Sequence, residues 1–337
     1  MATNDPADAT GRGRSTDRDT RSTSTDSDDH RTGSESDSDT RSATESDLAD
    51  AHVIVENLRY SYPGADAPTL RGLDFRIGAG EVFGFLGPSG AGKSTTQKVV
   101  VGLLDGYDGR VEVFGREVAD WGGDYYERIG ISSESPNQYL KLTGRENLAL
   151  FSGLYDGETR DPDALLALVG LDDAADQQVG DYSKGMRMRL NVVRALLHDP
   201  DLLFLDEPTS GLDPGNARRV KEIVRDHQSR GTSVFLTTHD MTVADDLCDR
   251  VAFVVDGEIP VLDAPSALKR EYGEPTVTVE YRQDGLVETE TFDLAGLGAN
   301  AAFDRLLADD AVTVERLHSS EATLEDVFIA VTGRELV

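Results

Sequence analysis

One cysteine, Cys248, serves a chain of 337 residues, which excludes an intramolecular disulfide or a thiolate metal cluster and fits a reducing compartment. By itself Cys248 reads as a small buried apolar residue. No stretch approaches the roughly 18 consecutive apolar residues that a membrane helix needs, and no charged-then-apolar leader opens the chain. The expectation is a chain that by itself neither spans a membrane nor is exported. Lysine is scarce as well: Lys93, Lys98, Lys141, Lys184, Lys221 and Lys269 are six of the 33 basic residues, against 63 acidic ones. The net charge of −30 argues against nucleic acid as the main ligand, because phosphate backbones need basic surface. A heavy acidic excess with little lysine resembles the composition of proteins from extreme halophiles, where counter-ions screen self-repulsion. The first 50 residues hold 13 acids and six arginines, a net of −7, so −23 lies on the remainder and the excess is not only a tail.

Residues 1–50 are almost wholly Ser, Thr, Asp, Arg, Gly and Ala and cannot bury enough apolar surface to offset their conformational entropy, which predicts a disordered acidic tail. Order begins at the strand-like His52 to Leu58. Residues 51–272 then alternate strand-like and helix-like runs, with a mostly helical insertion over about 134–194. Two antiparallel-looking strands ahead of the first strand-loop-helix unit predict a mixed sheet. After Glu274-Pro275 the texture changes to short strands and a helix, closing with Thr323-Leu324-Glu325-Asp326, a capping box that opens a last helix ending near Gly333. Residues 273–337 therefore read as a small appended α/β domain.

The chain is organised around Gly87-Pro88-Ser89-Gly90-Ala91-Gly92-Lys93-Ser94-Thr95, which fits the phosphate-cradling pattern G-x-x-x-x-G-K-[ST]. It follows an apolar run and precedes a stretch free of Gly and Pro, the strand, loop and helix that the motif requires. Glycines let successive N–H groups point into one concavity, and the helix starting near Lys93 adds its positive N-terminal dipole. Lys93 reaches the β- and γ-phosphates in this reading, and the Ser94 hydroxyl sits on Mg²⁺.

A second feature is the apolar run Leu202 to Leu205 ending in Asp206-Glu207. Paired acids at the end of a buried strand are costly unless they bind something, and Mg²⁺ is the obvious candidate. Asp206 is read as holding the metal through water. Glu207, pointing the other way by strand alternation, is read as polarising the attacking water as general base. His239 follows the strand Ser233 to Thr238 and belongs on the same sheet edge, within reach of a γ-phosphate. Ser183-Lys184-Gly185-Met186 starts a basic helix and makes a second anion site.

Taken in order, the phosphate loop, Ser183 to Met186, the run Leu205 to Asp213 and His239 resemble the ATP-binding-cassette (ABC) ATPases over about residues 53–265. The resemblance implies an α/β P-loop core of the ABC type with a mixed sheet, a helical subdomain and the small C-terminal α/β appendage. It also implies ATP and Mg²⁺ as ligands, with a head-to-tail dimer of this chain, or of this chain with a paralogous ATPase. Each ATP would lie between the phosphate loop of one subunit and Ser183, Gly185 and Met186 of the other. Tyr62 would then stack on adenine, Lys93, Ser94 and Thr95 hold phosphates and metal, Glu207 act as base and His239 sense the γ-phosphate. Asp213 would sit in the loop that couples the two sites.

Two departures from the family pattern matter. The usual Leu-Ser-Gly-Gly-Gln reads Tyr182-Ser183-Lys184-Gly185-Met186 here, keeping the Ser and the Gly that donate to phosphate. The usual metal-contacting Gln is replaced by Glu134 or shifted to Gln138, and alignment of Lys141 to Leu148 favours Glu134, a metal ligand of comparable chemistry. These departures and the terminal Leu324-Glu325-Asp326-Val327-Phe328 are similar to a branch whose ATPase sits on the cytoplasmic face of the membrane beside a separately encoded permease, mostly for export. A non-transport ABC ATPase acting on DNA or ribosomes is the rival. The roughly 90 residues between loop and Ser183 hold no long coiled coil, and the chain carries one cassette. A kinase or GTPase reading leaves Ser183 to Met186 unexplained.

Overall fold

The computed structural model describes residues 51–309 and 311–334, so the reading of 1–50 as a disordered tail lies outside the described residues. Strand β1 (Ala51–Tyr60) pairs antiparallel with β2 (Leu70–Gly78) on one side and β4 (Asp108–Val113) on the other, with the short β5 (Arg116–Glu117) beyond. A second sheet has the order β10-β9-β3-β8-β7-β6: Glu258–Asp263, Arg250–Val255, Val82–Leu86, Ser233–Thr238, Leu202–Asp206 and Ile129–Ser132. Its strands are parallel except β10 against β9. The antiparallel strands foreseen before the phosphate loop thus form a sheet of their own, and the mixed character of the main sheet comes from β10. Burial explains the division: β2 alternates, as a sheet with one wet face does, whereas β3, β7 and β8 are buried throughout, as a parallel sheet covered on both faces requires.

Phenylalanines weld the two sheets together. Phe75 of β2 stacks on Phe83 of β3 (5.5 Å between ring centres, 7° between planes) and touches Phe235 of β8 (5.8 Å). The opposite face of the main sheet is covered by helices α4 (Lys184–Arg194), α5 (Pro214–Ser229) and α6 (Met241–Leu247). Helix α1 (Lys93–Val100) follows β3. Helices α2 (Gly144–Ser152) and α3 (Pro162–Leu168) make up the rest of the helical segment with α4, and Leu148, Leu165 and Leu166 are fully buried in the same apolar cluster as the main sheet. A capping box of Thr143 with Glu146 starts α2, and Pro162 at the first turn follows the Asp161 cap of α3.

After α7 (Pro265–Tyr272), strands β11 (Thr276–Gln283), β12 (Leu286–Asp293) and β13 (Val312–Ser320) form a separate antiparallel sheet with β11 central. Val277, Val279, Tyr281, Phe292 and Leu306 of α8 (Ala301–Ala308) make its small core. The last helix, α9 (Leu324–Thr332), opens with the foreseen Thr323–Asp326 capping box and ends at left-handed Gly333. It does not join the appended sheet. Leu324, Val327 and Phe328 are buried in the main core, with Phe328 edge-on to Phe253 of β9 (5.2 Å). Strands 276–320 thus carry their own small core, and the chain then packs the apolar face of α9 against the main sheet.

Candidate functional site

Parallel strands end on one edge, and this brings together residues far apart in sequence. The loop after β3, the acids after β7, His239 after β8 and Glu134 beyond β6 line one cleft of ≈ 420 Å³, with Tyr62 and Thr69 at its side. Close packing demands glycine at two places in the loop. A Cβ on Gly87 would lie 2.1 Å from the Val254 carbonyl, and one on Gly92, at φ 111°, would lie 2.7 Å from Leu70 Cδ2. Gly90 also has positive φ, while Ser89 is exposed, Pro88 half-buried and Ala91 buried. Lys93 Nζ donates to the loop's own carbonyls at Gly87 (2.6 Å) and Pro88 (3.0 Å). Burial holds its pKa below the usual lysine value, opposed by the charges of Glu207, Asp206 and Glu134.

The acid pair departs from strand alternation. Glu207 has φ 48°, a left-handed conformation that a non-glycine residue adopts at a cost of about 1–3 kcal/mol, and this turn brings its carboxylate to the same cleft as that of Asp206. The expected opposite orientation is therefore corrected. Surrounding bonds hold the strained residue: its N–H donates to the Thr237 carbonyl (2.9 Å), and Oε2 accepts from Thr238 Oγ1 (3.0 Å). Oε1 lies on the His239 N–H (2.9 Å) and 2.7 Å from His239 Nδ1. Asp206 Oδ1 accepts from Thr237 Oγ1. Thr69, Thr237 and Thr238 carry no motif by themselves. Only the pair preceding His239 could have been suspected, from its place at a strand end.

Tyr62 turns its hydroxyl to Thr95 Oγ1 (3.2 Å) and stands edge-on to Tyr60 (5.0 Å), leaving it 38 % exposed at the mouth of the cleft. Glu134 faces the cleft, whereas Gln138 donates from Nε2 to the Arg187 carbonyl (2.8 Å) on α4. Ser183, Gly185, Met186 and Asp213 do not line this cleft. Exposed Ser183 caps α4 by accepting from the Met186 N–H (3.2 Å), and Gly185 packs so close to Leu212 that an added Cβ would meet it at 3.2 Å. Asp213 caps α5 through the Asn216 N–H (3.0 Å), and that hydrogen bond holds its pKa below the usual carboxylate value. These four residues form a second surface, joined through the loop that runs from Glu207 to Asp213. Chemically, the cleft offers N–H groups and a lysine for phosphates, hard oxygen donors for a divalent cation, and a carboxylate held ready to accept a proton.

Residues 70–210 match the family described as ABC transporter, and residues 275–321 match the fluoroquinolone efflux ABC transporter C-terminal domain. The chain is 54% identical over 297 residues to the fluoroquinolones export ATP-binding protein of Mycobacterium tuberculosis, covering 88% of this chain and 98% of that one. It is 37% identical to the Nod factor export ATP-binding protein I of Rhizobium meliloti, covering 80% and 85%. Among solved structures, the ATP-binding subunit of an ABC transporter superposes with a TM-score of 0.60 at 27% identity, over 66% of this chain and 93% of that one. A dimeric ATP-binding cassette in a post-hydrolysis state, bound to ADP and Pi, superposes with a TM-score of 0.58 at 25% identity, over 63% and 98%.

Proposed function

Because the chain belongs to the ABC transporter ATPases, ATP-hydrolysing subunits of transport systems, we propose that two copies close head to tail around two ATP molecules and drive a separately encoded permease in the direction of export. One observation carries this reading: a single chain gathers the phosphate loop, Glu134, Asp206, Glu207 and His239 in one open cleft, yet leaves exposed Ser183 and half-buried Gly185 on another surface. A second copy supplies what the cleft lacks, an N-terminus of a helix whose free N–H groups suit a γ-phosphate.

Phosphate oxygens arriving in the loop replace the Gly87 and Pro88 carbonyls as partners of Lys93, so the ammonium passes from a neutral acceptor to a charged one. Glu207 accepts a proton as the water oxygen bonds to the γ-phosphorus and the bond to ADP breaks. The His239 N–H and the Thr238 hydroxyl keep that carboxylate aimed. Tyr62 leaves Thr95 to lie against adenine. Ser94, Asp206 and Glu134 fit Mg²⁺: all are hard oxygen donors, and they line one cleft beside the phosphate loop, as suits an ion that shares its shell with water and phosphate. When bound, Mg²⁺ would neutralise charge on the β- and γ-phosphate oxygens.

No helix among the described residues is long and apolar enough to cross a membrane, so attachment to the cytoplasmic face runs through the permease. The names of the relatives support export, and fluoroquinolones are the first cargo to test. The acidic, lysine-poor composition supports function at high salt. The test is the sedimentation of Glu207→Gln with ATP and Mg²⁺: a stable dimer is expected, and a monomer at saturating nucleotide refutes the sandwich.

A further inference from the structure

Strands β9 and β10 are joined by a two-residue turn, Asp256-Gly257, with both residues at positive φ (51° and 79°), the form that matches the twist of a hairpin. The buried half of that turn, Gly257, braces the phosphate loop. Its N–H donates to the Ala91 carbonyl (3.0 Å), its carbonyl accepts from the Arg71 N–H (2.9 Å), and a Cβ there would lie 2.2 Å from the Thr69 carbonyl. The exposed half, Asp256, carries a latch. Its Oδ2 accepts from Arg334 Nη2 (2.7 Å), and Arg334 leaves the end of α9, where Thr332 Oγ1 accepts its N–H (3.2 Å) and donates to the Phe328 carbonyl (2.7 Å). Through Phe328, α9 already lies on β9, so Arg334 adds a second hold at the end of the same strand.

Peptide geometry says what the brace does. In a trans peptide the C=O and the following N–H point opposite ways, so holding the Ala91 carbonyl on the turn side aims the Gly92 N–H away from the turn. Gly92 lines the cleft, whereas Asp256, Gly257 and Arg334 do not, so their action on it runs through that one peptide. The ion pair is half exposed on both sides, and such a pair contributes little to overall stability. Its effect falls instead on the turn it grips. Asp256 has a left-handed φ that few non-glycine residues adopt, and a bond on its side chain biases that conformation directly.

We propose that Asp256 and Arg334 are positioning residues for the nucleotide: their ion pair latches α9 to the β9–β10 turn, and the turn aims the Gly92 N–H at the phosphates. ATP affinity then depends on a helix far along the chain from the loop it serves. The proposal rests on the reading of Gly87 to Thr95 as a phosphate loop and adds to it a hold from outside the motif.

Titrations of the full chain with ADP, which occupies the loop without turnover, test it for Arg334→Ala, Asp256→Asn and the two combined. Asparagine suits this turn as well as aspartate does and removes only the charge. The titrations belong at the lowest salt that keeps the chain folded, where charges are least screened. Each single variant should weaken ADP binding about threefold, the scale of one exposed ion pair, and the combined variant no further. KM for ATP should rise by the same factor with kcat unchanged, a split that a merely structural role would not give. Losses that multiply, wild-type ADP affinity in either single variant, or a loss confined to kcat overturn the proposal. Lys93→Ala separates the two levels. If it loses binding while the latch variants bind as wild type does, only the latch fails. If it binds ADP as wild type does, the phosphate-loop reading fails and the latch with it.

Discussion

The cleft around Lys93 and the N-terminus of α4 both carry groups suited to phosphate, but they are furnished differently. In the cleft the buried and half-buried charged groups already have partners from the same chain: Lys93 rests on two loop carbonyls, Glu207 on Thr238 and His239, Asp206 on Thr237. Ser183 has one partner, the Met186 N–H that it caps, and is otherwise open to solvent. A site that is pre-organised holds its ligand by itself, whereas a lone helix terminus in water gains little from an anion until something excludes that water. On the proposed head-to-tail reading, the contrast is that of a site which binds and a surface which completes.

The sharpest way to break this comparison is at Glu207. Glu207→Gln should lower kcat roughly 1,000-fold, the usual share of a general base, with nucleotide affinity unchanged in a binding titration; a modest drop would remove the base from Glu207. Next comes Lys93→Ala, for which calorimetry should show ATP affinity weaker by about 100-fold, because a charged partner of the phosphates is lost from a half-buried position. Ser183→Ala sharpens the other side. A single chain should bind ATP as before while kcat falls about tenfold, and the lost cap should cost about 1 kcal/mol in a melting experiment. Weakened single-chain binding would erase the distinction between the two surfaces. The smallest effect concerns neither. Burial holds His52, His198 and His227 below the ordinary 6.5, so the unfolded chain binds more protons in that range. Their contribution is full above pH 6.5 and is lost as pH falls from there towards the lowered folded values. Denaturant midpoints at constant high salt should therefore drop modestly from about pH 7.5 to about pH 5.5, alike for wild type and Ser183→Ala.

The cleft was legible where chemistry is local. Gly87 to Thr95 announces a phosphate loop because its glycines and lysine are consecutive, and the strand ends at Asp206 and Thr238 follow from apolar runs that stop abruptly. What escaped depends on contacts between distant residues. The orientation of Glu207 was misread because alternation predicts the opposite face, and bonds to the Thr237 carbonyl, the Thr238 hydroxyl and the His239 N–H, all from the neighbouring strand end, hold it at φ 48°. The place of α9 is not written in its pattern, because an amphipathic helix does not say which apolar surface it will meet, and Phe253 belongs to a strand about 70 residues earlier. Glu134 and Gln138 are told apart in space by a single hydrogen bond to Arg187.

By itself the sequence determined the elements, the phosphate-binding loop, the carboxylates at the end of a buried strand and the family to which their order points, because each follows from short-range pattern and chain geometry. Tertiary structure alone decided that four strand ends share one cleft, that the antiparallel strands stand apart as a second sheet, and that Ser183 stays outside. Those outcomes depend on strand order and on which apolar faces find each other. Neighbours in space that are strangers in sequence leave no mark in a local pattern.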